Sequence, residues 1–345
     1  MPRKKKARRA IAPAEYASRR RELSAFMDEG SIAIVPGANP KIRNGDVQYP
    51  FRQDSDFRYL TGFDEPNAVF VLIPGREHGE TLLFCRERDN EHERWHGHVT
   101  GPELAMQLFG MDDAFPVSDI DDILPGLIEG RSKLYYAMGV DRDFDHQVIE
   151  WVKKISQSDH LGAESPGEFV QLDHYLHELR LFKSAAEIAL MKLAADATVK
   201  GHCRIMQKTQ PGMMEYELEA ELIHEFSING ARYCAYPPIV GGGANACVLH
   251  YVANNEVLAD GDLVRITSPS GRVVGVAEGS DTIKRGVISM SHSWGGRSLT
   301  DEKVRDIGTP TSRLVSVDAG HDPVTGMVVS SAIPVAVAKS NEAVA

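Results

Sequence analysis

The sequence predicts a mixed α/β region, then an α+β region that opens on two long helices, and finally an all-β tail. Up to about residue 172, short apolar runs alternate with segments of helical length, a pattern typical of α/β domains. Two long helical segments follow one another after residue 173, and beyond about residue 258 short strand-like runs stand between Gly, Ser, Thr and Pro. The length of 345 residues allows two or more domains.

In the first region, turn residues and apolar runs place the individual elements. Apolar runs bounded by Gly, Pro or charged residues predict strands at 31–35, 68–73, 81–85 and 134–138. Helical segments are predicted at 14–29, 102–109, 119–129 and 144–155. Because strands and helices interleave, we expect one α/β domain over about 12–172.

The second region begins with a helix-start signal. Ser184 and Glu187 have the spacing of a capping box, in which each side chain accepts a hydrogen bond from the other residue's backbone N–H. Helices are therefore predicted from this signal to about residue 207 and then at 215–229, with strands at 238–240 and 246–251. In the tail, strands are predicted at 263–267, 272–277, 287–290, 314–317 and 328–338.

Composition and charge narrow the classes of partner and the compartment. The net charge of −11 includes six Lys and Arg residues within 3–9, so the remaining chain carries a charge of −17 and is poorly suited to nucleic acid. No apolar run reaches the length of a membrane span, and no secretory signal is evident, so we expect no membrane partner. The cysteines stand far apart, which predicts reduced thiols in a cytoplasmic protein.

Two local motifs are weaker than they look. Residues 241–246 fit the pattern GxGxxA, but a predicted strand follows where a nucleotide-binding turn needs a helix, so we interpret them as a tight turn. His92, His96 and His98 lie close together without a carboxylate or Cys spacing that fixes a metal geometry. We therefore expect a polar loop there, carrying Trp95.

Longer motifs do identify a family. The segment YPFRQDSDFRYLTGF at 49–63 is followed in order by LHELRLFKS at 176–184, PGMMEYE at 211–217, LHY at 249–251 and DGDLV at 260–264. Together these segments resemble the aminopeptidase P family over about residues 14–264. The resemblance implies an α/β N-terminal domain that helps to form oligomers, followed by a pita-bread catalytic domain with two manganese ions. It also implies removal of the N-terminal residue from peptides whose second residue is proline.

The resemblance also assigns individual residues. His250 matches the active-site histidine that lies beside the scissile bond, and Tyr236 matches a residue near the metals. Asp46 and Trp95 match positions of the N-terminal domain that close the substrate pocket of a neighbouring subunit.

The metal ligands implied by the family are not found in this sequence. They are two Asp, one His and two Glu, and the first Asp belongs three residues after Val264, where this chain has Thr267. A later segment, LVSVDAG at 314–320, imitates the first Asp, but Val329 stands where the second would be. Manganese is thus expected for the family but without ligands here, and we expect an inactive chain.

The tail resembles a second family. The segments at 271–278, 285–296, 308–314, 322–327 and 331–335 are similar to the molybdopterin-dinucleotide-binding domain of molybdopterin oxidoreductases, and the resemblance begins at about residue 258. It implies part of a double-psi β-barrel whose opening strands are missing, which argues against molybdopterin as a cofactor. The segment LADGDLV at 258–264 is common to both families, as expected for a chimera made by recombination or by an error in assembling the gene sequence.

These interpretations give a predicted domain order and three possible functions. We expect a basic disordered tail at 1–13, the aminopeptidase P N-terminal domain at 14–172, a truncated pita-bread domain at 173–262 and a partial β domain at 263–345. The chain is an inactive relative of a Xaa-Pro aminopeptidase, a non-catalytic module that forms homo-oligomers or hetero-oligomers with a full-length relative, or a chimeric product with no function of its own.

Overall fold

The computed structural model describes residues 11–157, 162–258, 262–268 and 271–277, together with 284, 287, 288, 314 and 335–339. Most of the predicted basic tail lies outside these residues, as do residues 328–334 of the strand predicted at 328–338 and residues 315–317 of the strand predicted at 314–317. The chain divides into an N-terminal unit, Met1–Leu190, and a C-terminal unit, Met191–Ala345. The sequence-based domain limits stay predictions.

The described part of the N-terminal unit is built on a six-stranded mixed sheet. Its strands are β1 (Ile32–Pro36), β4 (Val69–Leu72), β5 (Thr81–Cys85), β6 (Asp113–Pro116), β7 (Lys133–Tyr136) and β8 (Glu168–Gln171). They lie in the order β6-β5-β4-β1-β7-β8, with β4 antiparallel to both β1 and β5 and the other neighbours parallel. A separate hairpin is formed by β2 (Ile42–Asn44) and β3 (Val47–Gln48).

Helices lie along both units. They are α1 (Pro13–Phe26), α2 (Ser55–Thr61), α3 (Asn90–His96), α4 (Gly101–Phe109), α5 (Ile120–Ile128), α6 (Arg142–Gln157), α7 (Asp173–Leu181), α8 (Ala185–Lys208) and α9 (Glu215–Ile228). Within the described ranges, each helix is too short or too polar to cross a membrane.

The N-terminal sheet is buried on both faces. In β1, Ala33 and Val35 join one apolar cluster while Ile32 and Ile34 join the other, as the alternation of side chains along a strand requires. The first cluster includes residues of α1, α2 and α7, and the second includes residues of α5 and α6. The strands β1, β4 and β5 therefore read as continuous apolar runs rather than alternating ones.

The four strands predicted in this unit are confirmed, but two edge strands were missed. β6 is half-buried and β8 is largely exposed, so neither carries the continuous apolar run that identified the others. The first helix ends at Phe26 rather than near residue 29, because Met27 turns to an extended conformation and is buried in the core. The segment around Trp95 is the helix α3 and not a loop, because Asp89 caps it by accepting a hydrogen bond from the backbone N–H of Glu91 (2.9 Å).

After residue 184, the two predicted helices and two of the predicted tail strands are confirmed. The Ser184–Glu187 capping box is formed at the start of α8, with hydrogen bonds of 3.2 and 2.8 Å. Among the described tail residues, β9 (Asp262–Ser268) pairs antiparallel with β10 (Gly271–Ala277) and with β11 (Ala336–Lys339). This three-stranded arrangement agrees with an all-β tail.

The strands predicted at 238–240 and 246–251 are wrong. The chain there forms an irregular loop, which we call the 230–258 loop, with a short 3₁₀ helix at Gly243–Cys247. Residues 287 and 288 of the strand predicted at 287–290 do not form a strand, and residues 289 and 290 lie outside the described residues. Side chains satisfy backbone groups here that a strand would pair with its neighbours: Asn254 accepts a hydrogen bond from the N–H of Val240, and Glu215 accepts one from the N–H of Gly242.

Candidate functional site

The 230–258 loop carries both residues that the sequence assigns to the substrate side. Tyr236 has 69% of its surface exposed, and His250 is exposed as well. Leu249, next to the histidine, is 89% exposed, although it is a large apolar residue. Such a loop needs strong internal anchors to hold one conformation, because few of its apolar side chains are buried.

The first anchor is Glu215, the first residue of α9, whose surface is fully buried. Its Oε1 accepts hydrogen bonds from the backbone N–H of Gly242 (2.7 Å) and from Nδ2 of Asn245 (3.2 Å). Its Oε2 accepts from the hydroxyl of Tyr251 (2.7 Å) and from the backbone N–H of Glu256 (3.2 Å). Four donors therefore satisfy the buried carboxylate, as burial of a charge requires.

The second anchor is Asn254, which is 1% exposed and adopts a left-handed conformation with φ of 47°. Its Oδ1 accepts from the backbone N–H of Val240 (3.0 Å), while its Nδ2 donates to Oε2 of Glu219 (2.8 Å) and to the carbonyl of Pro238 (2.9 Å). Asn tolerates this backbone conformation better than most residues do. Asn254 thus connects two stretches of the loop, around residues 238–240 and 254, to Glu219 in the second turn of α9.

Electrostatics keep the first anchor in its charged form. Burial raises the pKa of Glu215, but the hydrogen bonds from Tyr251, Gly242, Asn245 and Glu256 together outweigh it, so the pKa lies below its ordinary value. The same carboxylate raises the pKa of the Tyr251 hydroxyl by accepting its hydrogen bond. At neutral pH the pair is therefore a carboxylate and a protonated phenol.

Asp46 and Trp95 both belong to the N-terminal unit. Asp46 lies exposed in the turn between β2 and β3, and Trp95 on α3 is 81% exposed. Glu93 of α3 accepts a hydrogen bond from the backbone N–H of Val99, which follows the helix (3.1 Å), and another from Nε of Arg88, which precedes it (3.1 Å). These bonds, that of Arg88 foremost, lower the pKa of Glu93 to about 2. The tryptophan is thus presented on a helix whose end is fixed.

A metal centre of the expected kind does not fit the residues present. Thr267 lies in β9 with Arg272 of β10 and Ala336 of β11 as its strand partners. Its neutral hydroxyl cannot supply the carboxylate that a hard divalent cation prefers as a bridging ligand. Within the described ranges, no group of three or more His, Cys, Asp or Glu residues is arranged to hold a metal ion.

A small cavity of about 60 Å³ in the N-terminal unit is lined partly by acidic residues. Each of these carboxylates already has a structural partner. Asp54 caps α2, Asp141 caps α6, Asp56 forms an ion pair with Arg180, and Asp173 accepts from Gln171. The cavity therefore does not compete with the 230–258 loop as a candidate site.

The two anchors were missed by the sequence analysis. A Glu at the first position of a helix is common on exposed surfaces, because it interacts favourably with the helix dipole. Nothing in the local sequence pattern distinguishes the buried Glu215 from Glu217, which lies two residues later and is exposed. One available signal was the group of hydrogen-bonding residues Asn245, Tyr251 and Asn254 in a segment without a clear strand pattern.

Comparison with known proteins places this geometry in a family. Residues 16–136 match the aminopeptidase P N-terminal domain, and residues 189–269 match metallopeptidase family M24. The Xaa-Pro aminopeptidase of Escherichia coli is 40% identical over 257 residues, which cover 74% of this chain and 58% of that relative. The chain is a homologue of the Xaa-Pro aminopeptidases. Residues 252–332 match the molybdopterin dinucleotide binding domain.

Solved structures agree with this assignment. The structure of Pseudomonas aeruginosa aminopeptidase PepP is 52% identical to this homologue, with a TM-score of 0.72, and the match covers 77% of this chain and 59% of that one. Zinc-substituted E. coli aminopeptidase P in complex with product is 38% identical, with a TM-score of 0.71 and the same two coverages. The Xaa-Pro aminopeptidase homologue therefore spans about three fifths of the length of these relatives.

The comparisons confirm the predicted family and fold class. An aminopeptidase P N-terminal domain is followed by a truncated M24 pita-bread domain, and the tail matches the second family that the sequence analysis named. M24 is a family of metallopeptidases, so the lineage implies a divalent metal. The structure with zinc in place of the usual ion shows that one relative accepts an alternative metal.

Proposed function

We propose that this Xaa-Pro aminopeptidase homologue does not hydrolyse peptides. The observation that carries the proposal is Thr267, which occupies the position in β9 where the family pattern requires a carboxylate ligand. Pairing with β10 on one side and β11 on the other fixes the backbone at this position. A nearby carboxylate cannot take its place without a change of strand register, which would move every side chain of β9 to the other face.

The segment after residue 269 does not match the family that carries the remaining ligands. The family pattern places the His and both Glu ligands downstream of the 260–264 motif, and the M24 match ends at residue 269. The match to the second family begins at residue 252 and continues to residue 332. The sequence that would carry the missing ligands is therefore replaced by sequence of another lineage.

The proposal is tested with an Xaa-Pro peptide and the purified full chain in the presence of Mn²⁺, and again with Zn²⁺. We expect no release of the first residue above the rate without protein. The E. coli Xaa-Pro aminopeptidase in the same buffer is the positive control. Release that a chelator abolishes would overturn the proposal, because it would require ligands from residues that we have excluded. Metal content after dialysis gives a second measurement, expected to be far below one ion per chain.

A second candidate function is assembly through the N-terminal unit. Two observations favour it: the central strands of this unit are buried on both faces, and Trp95 is nevertheless 81% exposed on α3, which Asp89 caps at its start. A large exposed aromatic residue on a rigid element is typical of a protein interface. In this function, Asp46 and Trp95 contact another copy of the chain or a full-length relative, and peptides with proline at the second position bind only to that relative.

Assembly is tested by light scattering of the full chain alone and mixed with a full-length relative encoded by the same genome. A stable oligomer that W95A weakens would support this function. W151A is unsuitable as a control because Trp151 is buried in the core. Phe169→Ala on β8, a change at an exposed aromatic residue outside the hairpin that carries Asp46, is the matched control. A monomer under all conditions would exclude assembly.

The gene history and the compartment are proposals of the same kind. We propose that the junction near 258–264 joins two lineages, and that the chain works in the cytoplasm, where its cysteines stay reduced. Resequencing codons 240–290 from fresh DNA tests the junction. One continuous reading frame supports a gene fusion, whereas two separate frames show an assembly error and a product with no function of its own.

A further inference from the structure

We infer that Glu215 is the positioning residue of the 230–258 loop, and that its buried carboxylate, with no metal ion, fixes the backbone around His250. The inference rests on the proposal that the chain keeps this substrate-side loop without a metal centre. It assigns a role to a residue that is not among the four to which the family resemblance gives a function.

The donors to Glu215 come from both sides of His250. Gly242 and Asn245 precede the histidine, whereas Tyr251 and Glu256 follow it. One carboxylate thus accepts hydrogen bonds from four separate positions of the loop. Removing it releases all four at once, and two of them are backbone N–H groups that would lose their partner.

Backbone hydrogen bonds hold the end of the loop and short stretches within it. Within the loop, the described backbone hydrogen bonds are short-range, such as those from Asn245 to Gly242 (3.0 Å) and from Val248 to Asn245 (3.0 Å). The end of the loop is paired with the chain before α9 through the bridge between Met214 and Val257. Asn254 adds the second anchor, and Glu215 contributes hydrogen bonds to three residues between 241 and 252.

The connection to the histidine is direct along the chain. Tyr251 follows His250, and its hydroxyl both donates to Glu215 (2.7 Å) and accepts from Nδ2 of Asn245 (3.0 Å). A fixed Tyr251 side chain limits the backbone rotation of the residue before it. Since His250 is exposed, its own packing cannot set its direction. The direction must therefore come from the neighbouring anchor.

The test compares E215Q with the matched control E217Q in the full chain. Glu217 lies in the same turn of α9 but is exposed, and Gln at 217 can still accept the hydrogen bond that Glu217 takes from the backbone N–H of Met214 (2.7 Å). Peptide-resolved hydrogen exchange measures the order of the loop. We expect exchange in 241–256 to become about tenfold faster in E215Q and to stay unchanged in E217Q, with no change in the N-terminal unit for either.

A spectroscopic readout separates positioning from general stability. The imidazole signal of His250, assigned by its absence in H250A, should shift or broaden in E215Q and remain in place in E217Q. If E215Q unfolds the whole C-terminal unit, Y251F replaces it. This change removes one of the four donors to Glu215, together with the acceptor for Nδ2 of Asn245, and should raise exchange at 248–252 by about threefold. Unchanged exchange and an unchanged His250 signal in the folded variants would overturn the inference.

These outcomes are distinct from those of the hydrolysis assay. Release of the first residue in the presence of Mn²⁺ would overturn the proposed lack of activity and leave the exchange result standing. An unaltered loop in E215Q would overturn the positioning role and leave the hydrolysis result standing.

Discussion

The two units differ in how their helices are covered. In the N-terminal unit, α5 and α6 each contribute several buried side chains to the cluster on one face of the sheet. The 24-residue helix α8 lies mostly in the C-terminal unit, yet its buried residues are Ala197 and Gly201. A local signal such as the capping box starts a helix whether or not its faces are later covered. Among the described residues, the sheet of the N-terminal unit covers α5 and α6 more fully than α8 is covered.

Polar anchors play a different part in each unit. In the N-terminal unit, the buried guanidinium of Arg20 donates to the carbonyls of Leu60 (2.9 Å) and Gly110 (2.8 Å), beside an apolar core that is already closed. In the C-terminal unit, Glu215 and Asn254 hold a loop whose apolar side chains are mostly exposed. We learn that a truncated fold can keep a defined loop through hydrogen bonds where apolar burial is limited.

The largest expected effect comes from matched Phe→Ala changes in the two units. Phe70 of β4 is fully buried, so F70A should lower the free energy of unfolding of its unit by about 3–5 kcal/mol. Phe226 of α9 is only half-buried, and F226A should cost about 1–2 kcal/mol. Chemical denaturation, with hydrogen exchange to assign each transition to a unit, measures both. Equal costs would show that the C-terminal unit is as well packed as the other.

Thiol labelling sharpens the same comparison. Burial, followed by the charge of Glu65, raises the pKa of Cys85 to about 12, whereas Cys203, Cys234 and Cys247 of the C-terminal unit are exposed. We expect iodoacetamide at pH 8 to modify Cys203 at least about 100-fold faster than Cys85, because the thiolate is the reactive form. Mass spectrometry of the digested chain gives both rates. Rapid labelling of Cys85 in the native chain would contradict the closed core.

Removing a carboxylate of the N-terminal unit tests its polar anchors through pH. Oδ2 of Asp112 accepts from the backbone N–H groups of Glu80 and Thr81 and from the Thr81 hydroxyl, at 2.9, 2.9 and 2.7 Å. Burial raises the pKa of Asp112, but these bonds outweigh it and the pKa is lowered. Its stabilisation is therefore present above the ordinary aspartate pKa and is lost as the pH falls through the lowered value.

We expect D112N to lower the free energy of unfolding by about 2 kcal/mol at pH 7. The difference in free energy of unfolding between D112N and the wild type should become smaller below about pH 3.9, the ordinary pKa of aspartate. Urea denaturation at a series of pH values measures it. A gap that is the same at pH 2.5 and pH 7 would show that the charge of Asp112 does not contribute.

Limited proteolysis should separate the regions by about tenfold. The segment 174–345 contains the exposed apolar residues of α8 and the 230–258 loop, so we expect it to be cut about tenfold faster than 14–172. The first fragments, identified by mass spectrometry, should keep the N-terminal region intact. Equal resistance of the two regions would refute the difference in packing.

The smallest effect is expected at a surface ion pair. Arg58 and Asp64 form a contact of 2.5 Å, but both side chains are more than half exposed. D64A should therefore change the free energy of unfolding by no more than about 0.5 kcal/mol. A loss well above this value, in the same denaturation experiment, would mean that surface charges contribute to the N-terminal unit as strongly as its buried anchors.

Much of the fold could be read from the sequence where the signal is local. The buried strands β1, β4 and β5 are continuous apolar runs, and the capping box predicted the start of α8. The edge strand β8 could not be recognised in this way, because an exposed edge needs no apolar run and its pairing with β7 is set by a distant segment. The strand wrongly predicted at 246–251 is the opposite case, an apolar run without a partner strand.

The candidate site divides along the same line. The motif order and the Thr at position 267 were visible in the sequence, because they depend on residue identity and spacing alone. The anchoring role of Glu215 was not visible, because it depends on five positions that are up to 41 residues apart in the chain.

The sequence by itself thus determined the family, the order of the domains' elements and the mismatch at the metal position. Only the tertiary structure decided the order of the strands in the sheet, the exposure of α8 and the burial of Glu215. The physical reason is that helix caps and side-chain alternation are local, whereas burial and hydrogen-bond partners are set by segments that meet only when the chain has folded.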